Sequence, residues 1–522
     1  MKPSCRTVGT MANENPSPCP LPSGERIKTR GDLQMKPYGI IALCFCVLVA
    51  ALFAAASGFA ETNYFPVDRE FYPYYPSLIK WDKSKAGFTD PVVCSGCHPR
   101  QYEEWTGSVH ALAFQDPIYQ GELNKGFKAV GHEITRQCEG CHSPAGVVMG
   151  EIKGPGFTGL SPLALAGVSC DICHSISGVT HWQTPTHEPE NGSFILSPGA
   201  DTKDGVQLIK RGPNKPEEGC GGGFHKCVES PLHLQSDLCA GCHQVYHYDT
   251  HFPLEATYLE WKHGPYAQKG IQCQDCHMVD TDTFIRTADT FTKPQRSEYR
   301  HSFGGANYLL LFLAEVAARK AGDETLAVNI HKKYEAAIAR LKAAAELEVF
   351  PVYRNGALAE LKVRVKNVRA GHNLTTSLTN VREMWLEVIA KDAAGNVVIA
   401  GGGLDKPGSL IPDTRVMNSA GMGKDFHFAI DPWVVTAFSR HDTIPPRAYK
   451  DFYFGVGPAK KPGMVAVEVK LRYRQADQKV AEELLGKVPA DISLEKIYGL
   501  KHVPTVPIVE MAVKQASFKS RQ

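Results

Sequence analysis

The stretch "CSGCHPRQYEEWTGSVHALAF", Cys94 to Phe114, holds two cysteines and a histidine within five residues and then a second histidine, His110, beyond Trp105. Its opening unit recurs as CEGCH from Cys138, CDICH from Cys170, CAGCH from Cys239 and CQDCH from Cys273. Nothing else in the chain repeats in this way, and five copies lie far beyond chance for this composition. Cys-x-x-Cys-His is the attachment unit of haem c. On a short helical turn, cysteines three positions apart form thioethers with the vinyl groups along one porphyrin edge, and the adjoining histidine faces the iron. The reading gives five covalently bound haem c groups, attached through Cys94, Cys97, Cys138, Cys141, Cys170, Cys173, Cys239, Cys242, Cys273 and Cys276. His98, His142, His174, His243 and His277 are the matching iron ligands. Zinc would explain cysteine pairs, but five pairs do not divide evenly into four-cysteine sites, and zinc needs no histidine after every second cysteine. No βαβ pattern surrounds any pair, which counts against a thioredoxin-like redox motif.

All five units fall between Cys94 and His277, too little chain to wrap each macrocycle separately. The haems are therefore expected to fill much of the core and to touch one another. Clusters such as "GPGFTGLSP" and "KRGPNKPEEGCGGG" predict a loop-rich, mainly α cytochrome c domain over 61–304.

Each iron has a sixth position that the motif does not fill. Outside the motifs, the chain up to Phe303 offers His110, His132, His181, His187, His225, His233, His247, His251, His263 and His301. His110 stands out by its place behind a motif and a tryptophan, and His301 by "RHSFGGAN", where glycines allow close approach to a flat ring. His225, His233 and His132 come next. Met278 follows its own motif directly and sits on the wrong side of that haem, so mostly bis-histidine ligation and low potentials are expected. Cys220 and Cys227 lack a following histidine; a disulfide closing "CGGGFHKC" would pin the loop that carries His225.

These segments resemble multihaem c-type cytochromes of the type represented by the tetrahaem cytochrome that accepts electrons from hydroxylamine oxidoreductase. The likeness is carried by "CSGCHPRQYEEWTGSVHA", "SPLHLQSDLCAGCHQV", "YLEWKHGPYAQKGIQCQDCHM" and "RHSFGGAN". It implies that His110 is a sixth ligand to a neighbouring haem, and that the chain is a two-domain form with a C-terminal β-sandwich. Within "EWKHGPYA" this sequence has Tyr266 where the pattern has histidine, which puts one sixth ligand in question, with His263 nearby at a different spacing.

After Gly305 the pattern turns helical. "ANYLLLFLAEVAARKAG" and the Asp323-capped "ETLAVNIHKKYEAAIARLKAAAELEV" set Leu326, Ile330, Tyr334, Ala337, Ile338 and Leu341 on one face, predicting a helical connector over 305–346. From about Glu348 the period becomes two, with Val465, Val467, Val469 and Leu471 sharing a face, which predicts an antiparallel β-sandwich over 347–522. His372, in "RAGHNLTTSL", is the one suggestive residue of this region; it reads as a loop histidine bonded to backbone, with a ligand reaching back to a haem as the alternative.

The chain has 522 residues, 43% of them hydrophobic and 21% charged, a balance that fits two or three globular domains. Lys+Arg 57 against Asp+Glu 55 gives no electrostatic case for nucleic acid or an anionic membrane surface. From Met35, one lysine, an apolar run from Gly39 to Ala56 and the small residues of Gly58-Phe59-Ala60 read as a signal peptide over 35–60 or a membrane anchor over 39–60. Residues 1–34 read as a misplaced start or a disordered tail. Export places the chain in the periplasm or at the outer cell surface, where redox proteins are the expected partners. The implied function is electron transfer between such partners through closely packed haems. The competing class is a haem-based oxidoreductase of a small nitrogen or sulfur compound, which needs one open sixth site and a proton donor.

Overall fold

The computed structural model describes residues 79–520 apart from 83, 181–183, 185, 297, 407 and 459–461. The signal or anchor segment, the tail before it and His181 lie outside the described residues. No helix among the described residues is long and apolar enough to cross a membrane.

Short capped helices carry the motifs. Asp90 accepts from the Val92 amide and Pro91 opens the helix Pro91–Ser95, which presents Cys94. The helix Cys273–His277 begins with a reciprocal capping box between Gln272 and Asp275. The motif segments at Cys138, Cys170 and Cys239 end the helix His132–His142 or fill the helices Cys170–Ser175 and Asp237–His243. Between them run small sheets that the sequence did not suggest. Gly199–Thr202 and Gly205–Gly212 form a hairpin, and His225–Glu229 pairs in parallel with the latter. The two-residue turn Lys203–Asp204, followed by Gly205 at positive φ, closes strands too short for a periodic pattern to reveal.

Beyond Tyr308 the elements lengthen. Helix Tyr308–Lys320 precedes helix Glu324–Ala344, whose Asp323 cap accepts from the Leu326 amide at 2.9 Å. Strands start directly at Ala345. One antiparallel sheet orders Tyr449–Gly455, Ala357–Asn367 and Ala345–Arg354; a second orders Val397–Gly401, Glu383–Lys391, Gly463–Arg474 and Val509–Ser520. Leu361, Val363 and Val365 from the first join Leu386, Val388, Val467, Val469 and Leu471 from the second in one buried cluster, with Ile330, Ala337 and Leu341 of the long helix against it. Alternation thus places every second side chain in a common core.

The late helix Gln478–Leu485 packs back on helix Pro117–Val130. Gly121 makes this possible, because a Cβ there would collide with the Leu484 carbonyl. The motif-bearing part and the strands are therefore one packed body rather than two parts joined by a tether.

Candidate functional site

A single cavity of about 1230 Å³ runs through the motif-bearing part. Its wall includes all five motif histidines and every motif thiol except Cys138. The donor set fits haem c: at four motifs paired thiols and an imidazole converge on apolar space, and at the second Cys141 and His142 do, as the attachment chemistry requires. Among the described residues no group of three or more His, Cys, Asp and Glu side chains is arranged to hold a bare metal ion.

Three motif imidazoles are oriented by backbone carbonyls. His142 Nδ1 donates to the Ala113 carbonyl at 2.7 Å, His277 Nδ1 to Gly304 at 2.7 Å, and His174 Nδ1 to Arg211. Such a bond fixes the tautomer and leaves Nε2 as the lone-pair nitrogen for iron. Burial pushes His142 down to about 4 and His277 to about 3, so both rings are neutral at pH 7, the form that ligates metal.

Thiols of different motifs meet. Cys94 lies within hydrogen-bonding reach of Cys170, Cys141 of Cys242, and Cys239 of Cys273. Cys173 acts electrostatically on Cys239 and Cys242. The first motif thus adjoins the third, the third adjoins the fourth, and the fourth adjoins both the second and the fifth.

Two imidazoles on opposite sides of one iron place their ring centroids about 6 Å apart, from two bonds of about 2 Å and a ring radius of about 1 Å each. His110 and His243 are 6.1 Å apart, and His277 and His372 are 6.2 Å apart. His174 has two rings at this spacing, His233 at 5.7 Å and His301 at 6.4 Å. His98 acts electrostatically on His225 and His301.

The Trp-x-x-Ser-x-His pattern has a plain structural reason. Trp105 Nε1 donates to the Val168 carbonyl at 3.0 Å, and Ser108 Oγ accepts from the Ala111 amide at 3.2 Å. The His110 carbonyl accepts from the Val168 amide at 2.9 Å. The ring is thereby held in the cavity wall against Phe303, 4.3 Å away edge-on. His110 Nδ1 and His301 Nδ1 are buried without a hydrogen-bond partner. Buried polar atoms of this kind call for an explanation, and a ligand in the cavity supplies one.

Of the five favoured distal histidines, His110, His225, His233 and His301 line the cavity and His132 does not. His132 is instead held by the buried carboxylate of Glu139, Nε2 to Oε2 at 2.9 Å. The carboxylate on its own helix, seven residues on, was a signal available in the sequence. His247 is used at both nitrogens, and His251 binds Glu190 at 2.7 Å. His263 is exposed on the helix end, and Tyr266 is buried beside Phe291. Cys220 and Cys227 form a disulfide, Cα to Cα 6.0 Å, around the His225 loop. His372, the suggestive residue of the strand region, lines the cavity.

No histidine ring stands at trans-axial spacing from His142 among the described residues. Tyr119 stacks on it at 3.7 Å, and Glu122 lines the cavity with Oε1 buried and unpartnered. Burial pushes the Glu122 carboxyl up to about 8.

A comparison with curated proteins found no match. The family described as cytochrome c554 and c-prime matches residues 93–175. Among solved structures, the chain is similar to a penta-heme cytochrome c552 from Thermochromatium tepidum, with 20% identity and a TM-score of 0.55. That likeness covers 83% of this chain and 100% of that chain, and at this identity it speaks for the fold. Together with the five motifs, the family match supports a multihaem c-type cytochrome with covalently bound haem c.

Proposed function

We propose that this chain is an exported pentahaem electron carrier, working in the periplasm or at the outer cell surface between redox protein partners. The observation that carries the reading is the meeting of thiols from different motifs inside one cavity. Thioether-bearing edges that close together let an electron pass between neighbouring sites without large rearrangement. Haem c supplies reversible one-electron chemistry at its iron. The chain's own residues supply spacing, axial nitrogen and burial. His110 serves the fourth site, and two of His225, His233 and His301 supply the first and third. The fourth motif is the junction, since it adjoins the second, third and fifth. The strand region beyond Ala345 is a β-sandwich that serves as a structural or docking module, a reading supported by its two antiparallel sheets and shared core. The penta-heme description of the similar structure agrees with the count of five.

The test is mass spectrometry of the mature holoprotein with potentiometric titration. The expected result is a mass increment of five haems and five one-electron couples, without turnover of nitrite or hydroxylamine. A bare chain mass would overturn the reading.

One observation favours the second reading, a haem-based oxidoreductase of a small nitrogen or sulfur compound. Among the described residues no imidazole stands at trans-axial spacing from His142, and the buried Glu122 carboxyl, protonated at pH 7, lines the same cavity and would be the proton donor. On this reading the open position lies at the second motif rather than near Tyr266 and His263. A high-spin ferric signal that shifts on adding nitrite or hydroxylamine, accompanied by turnover, would favour the enzyme over the carrier.

A further inference from the structure

We infer that His372, from the strand region, is the sixth ligand at the fifth motif, so that the C-terminal part completes a haem site rather than only flanking the haem-bearing part. The inference rests on the pentahaem reading and adds a ligand that neither the motif pattern nor the repeat marks.

Four observations carry it. First, the His372 and His277 ring centroids are 6.2 Å apart with planes 17° from parallel, the spacing of two imidazoles on opposite sides of one metal. Second, His372 Nδ1 donates to the Asn373 carbonyl at 3.1 Å, as His277 Nδ1 does to Gly304. Both rings therefore keep Nε2 as the lone-pair nitrogen. The backbone bond expected for a loop histidine is present, and it selects the tautomer that a ligand needs. Third, both rings line the same cavity as Cys273 and Cys276. Fourth, the loop between strands Ala357–Asn367 and Glu383–Lys391 is tied down at both ends. Asn367 Nδ2 donates to the His372 carbonyl at 2.9 Å, and Arg369 pairs with Asp289 at 2.7 Å. Glu260, on the short helix Thr257–Lys262, accepts from the Asn373 amide at 3.1 Å and from Thr376 Oγ1 at 2.6 Å. Ser377 Oγ donates to Glu255 at 2.8 Å.

A ring held by the Asn373 carbonyl, on a loop tied by Asn367, Glu260 and the Arg369–Asp289 pair, loses little freedom on binding metal, which is the condition for a strong, oriented ligand. The histidine that Tyr266 replaces in "EWKHGPYA" is compensated from the strand region. Tyr266 packs behind this loop, its ring 3.7 Å from where a Cβ at Gly371 would lie.

The experiment uses the full-chain holoprotein and its His372→Ala and His372→Met forms. Mass spectrometry first establishes the haem count. A wild-type count lacking the group on Cys273 and Cys276 would sink the pentahaem reading, separately from this inference. With five haems retained, His372→Ala is expected to move one of five haem equivalents from the low-spin to the high-spin ferric signal in electron paramagnetic resonance. Added imidazole restores it. His372→Met, which keeps a ligand and the fold, is expected to leave that iron low-spin and raise one of the potentials. Unchanged spin state in the alanine form, or an unchanged set of potentials in the methionine form, would overturn the assignment.

Discussion

Between Cys94 and His277 the described helices run from 4 to 14 residues, and the apolar side chains gather in small clusters such as Phe114, Tyr119, Leu123 and Ile152. Beyond Tyr308 the two leading helices run 13 and 21 residues, strands reach 12, and one continuous cluster joins helix and both sheets. The first region turns its apolar surface toward a cavity wall; the second turns it toward itself. A chain that lines a cavity of about 1230 Å³ with thiols and imidazoles gains its burial from the group it holds, whereas interlocked Val and Leu side chains gain it from one another.

The largest test of this contrast is to make the chain without haem attachment. Hydrogen exchange is expected to show the amides between Cys94 and His277 unprotected, while those of Ala357–Asn367, Glu383–Lys391 and Gly463–Arg474 stay protected. Equal protection in both regions would erase the distinction. Next in size, Leu386→Ala deletes a fully buried side chain of the shared core and is expected to cost about 2–5 kcal/mol in denaturant unfolding. The haem spectrum should not move; if it does, the core and the cavity are not separate.

The seam between the regions offers a pH test. Lys333, on the long helix, is buried against the motif-bearing part, with Nζ donating to the Glu103 carbonyl at 3.4 Å and to Asn329 Oδ1 at 2.6 Å. Burial lowers its ammonium to about 8 from a usual 10.5. Below pH 8 both folded and unfolded chains hold the proton and the cost of burying the charge is full. Between that value and the usual lysine range the unfolded chain binds more protons, so this group makes stability rise with pH. Lys333→Met is expected to stabilise the protein at pH 7, by on the order of 3 kcal/mol, and to flatten the rise. Calorimetric melting of both forms across pH 6–11 checks it, and parallel curves would refute the burial argument. The smallest effect belongs to the Cys220–Cys227 loop. Replacing both cysteines by serine is expected to cost about 2 kcal/mol, the entropy of closing so short a loop. It should broaden the signal of the haem facing His225 and leave the strand region untouched, as difference spectra would show.

Much of the site was legible because its chemistry is local. Cysteines three apart and a histidine one further on lie on the same helical turn wherever the chain goes, so the five units needed no tertiary information. The Asp323 cap and the alternation of Val465, Val467, Val469 and Leu471 were legible for the same reason. His132 shows where such reading fails: it is a histidine near a motif like His110, but Glu139 reaches it while the cavity receives His110. His372 reads in the sequence as a loop histidine bonded to backbone or as a ligand reaching back; the bond exists, and what lies across the cavity from it is not written nearby.

The sequence alone determined where the five Cys-x-x-Cys-His units lie, because each unit is set by positions a few residues apart. Which imidazole faces which iron, and which motif adjoins which, were decided only in the tertiary structure. The approach of the His110 and His243 rings to 6.1 Å joins distant points of the chain, and that meeting depends on the packing of everything between them.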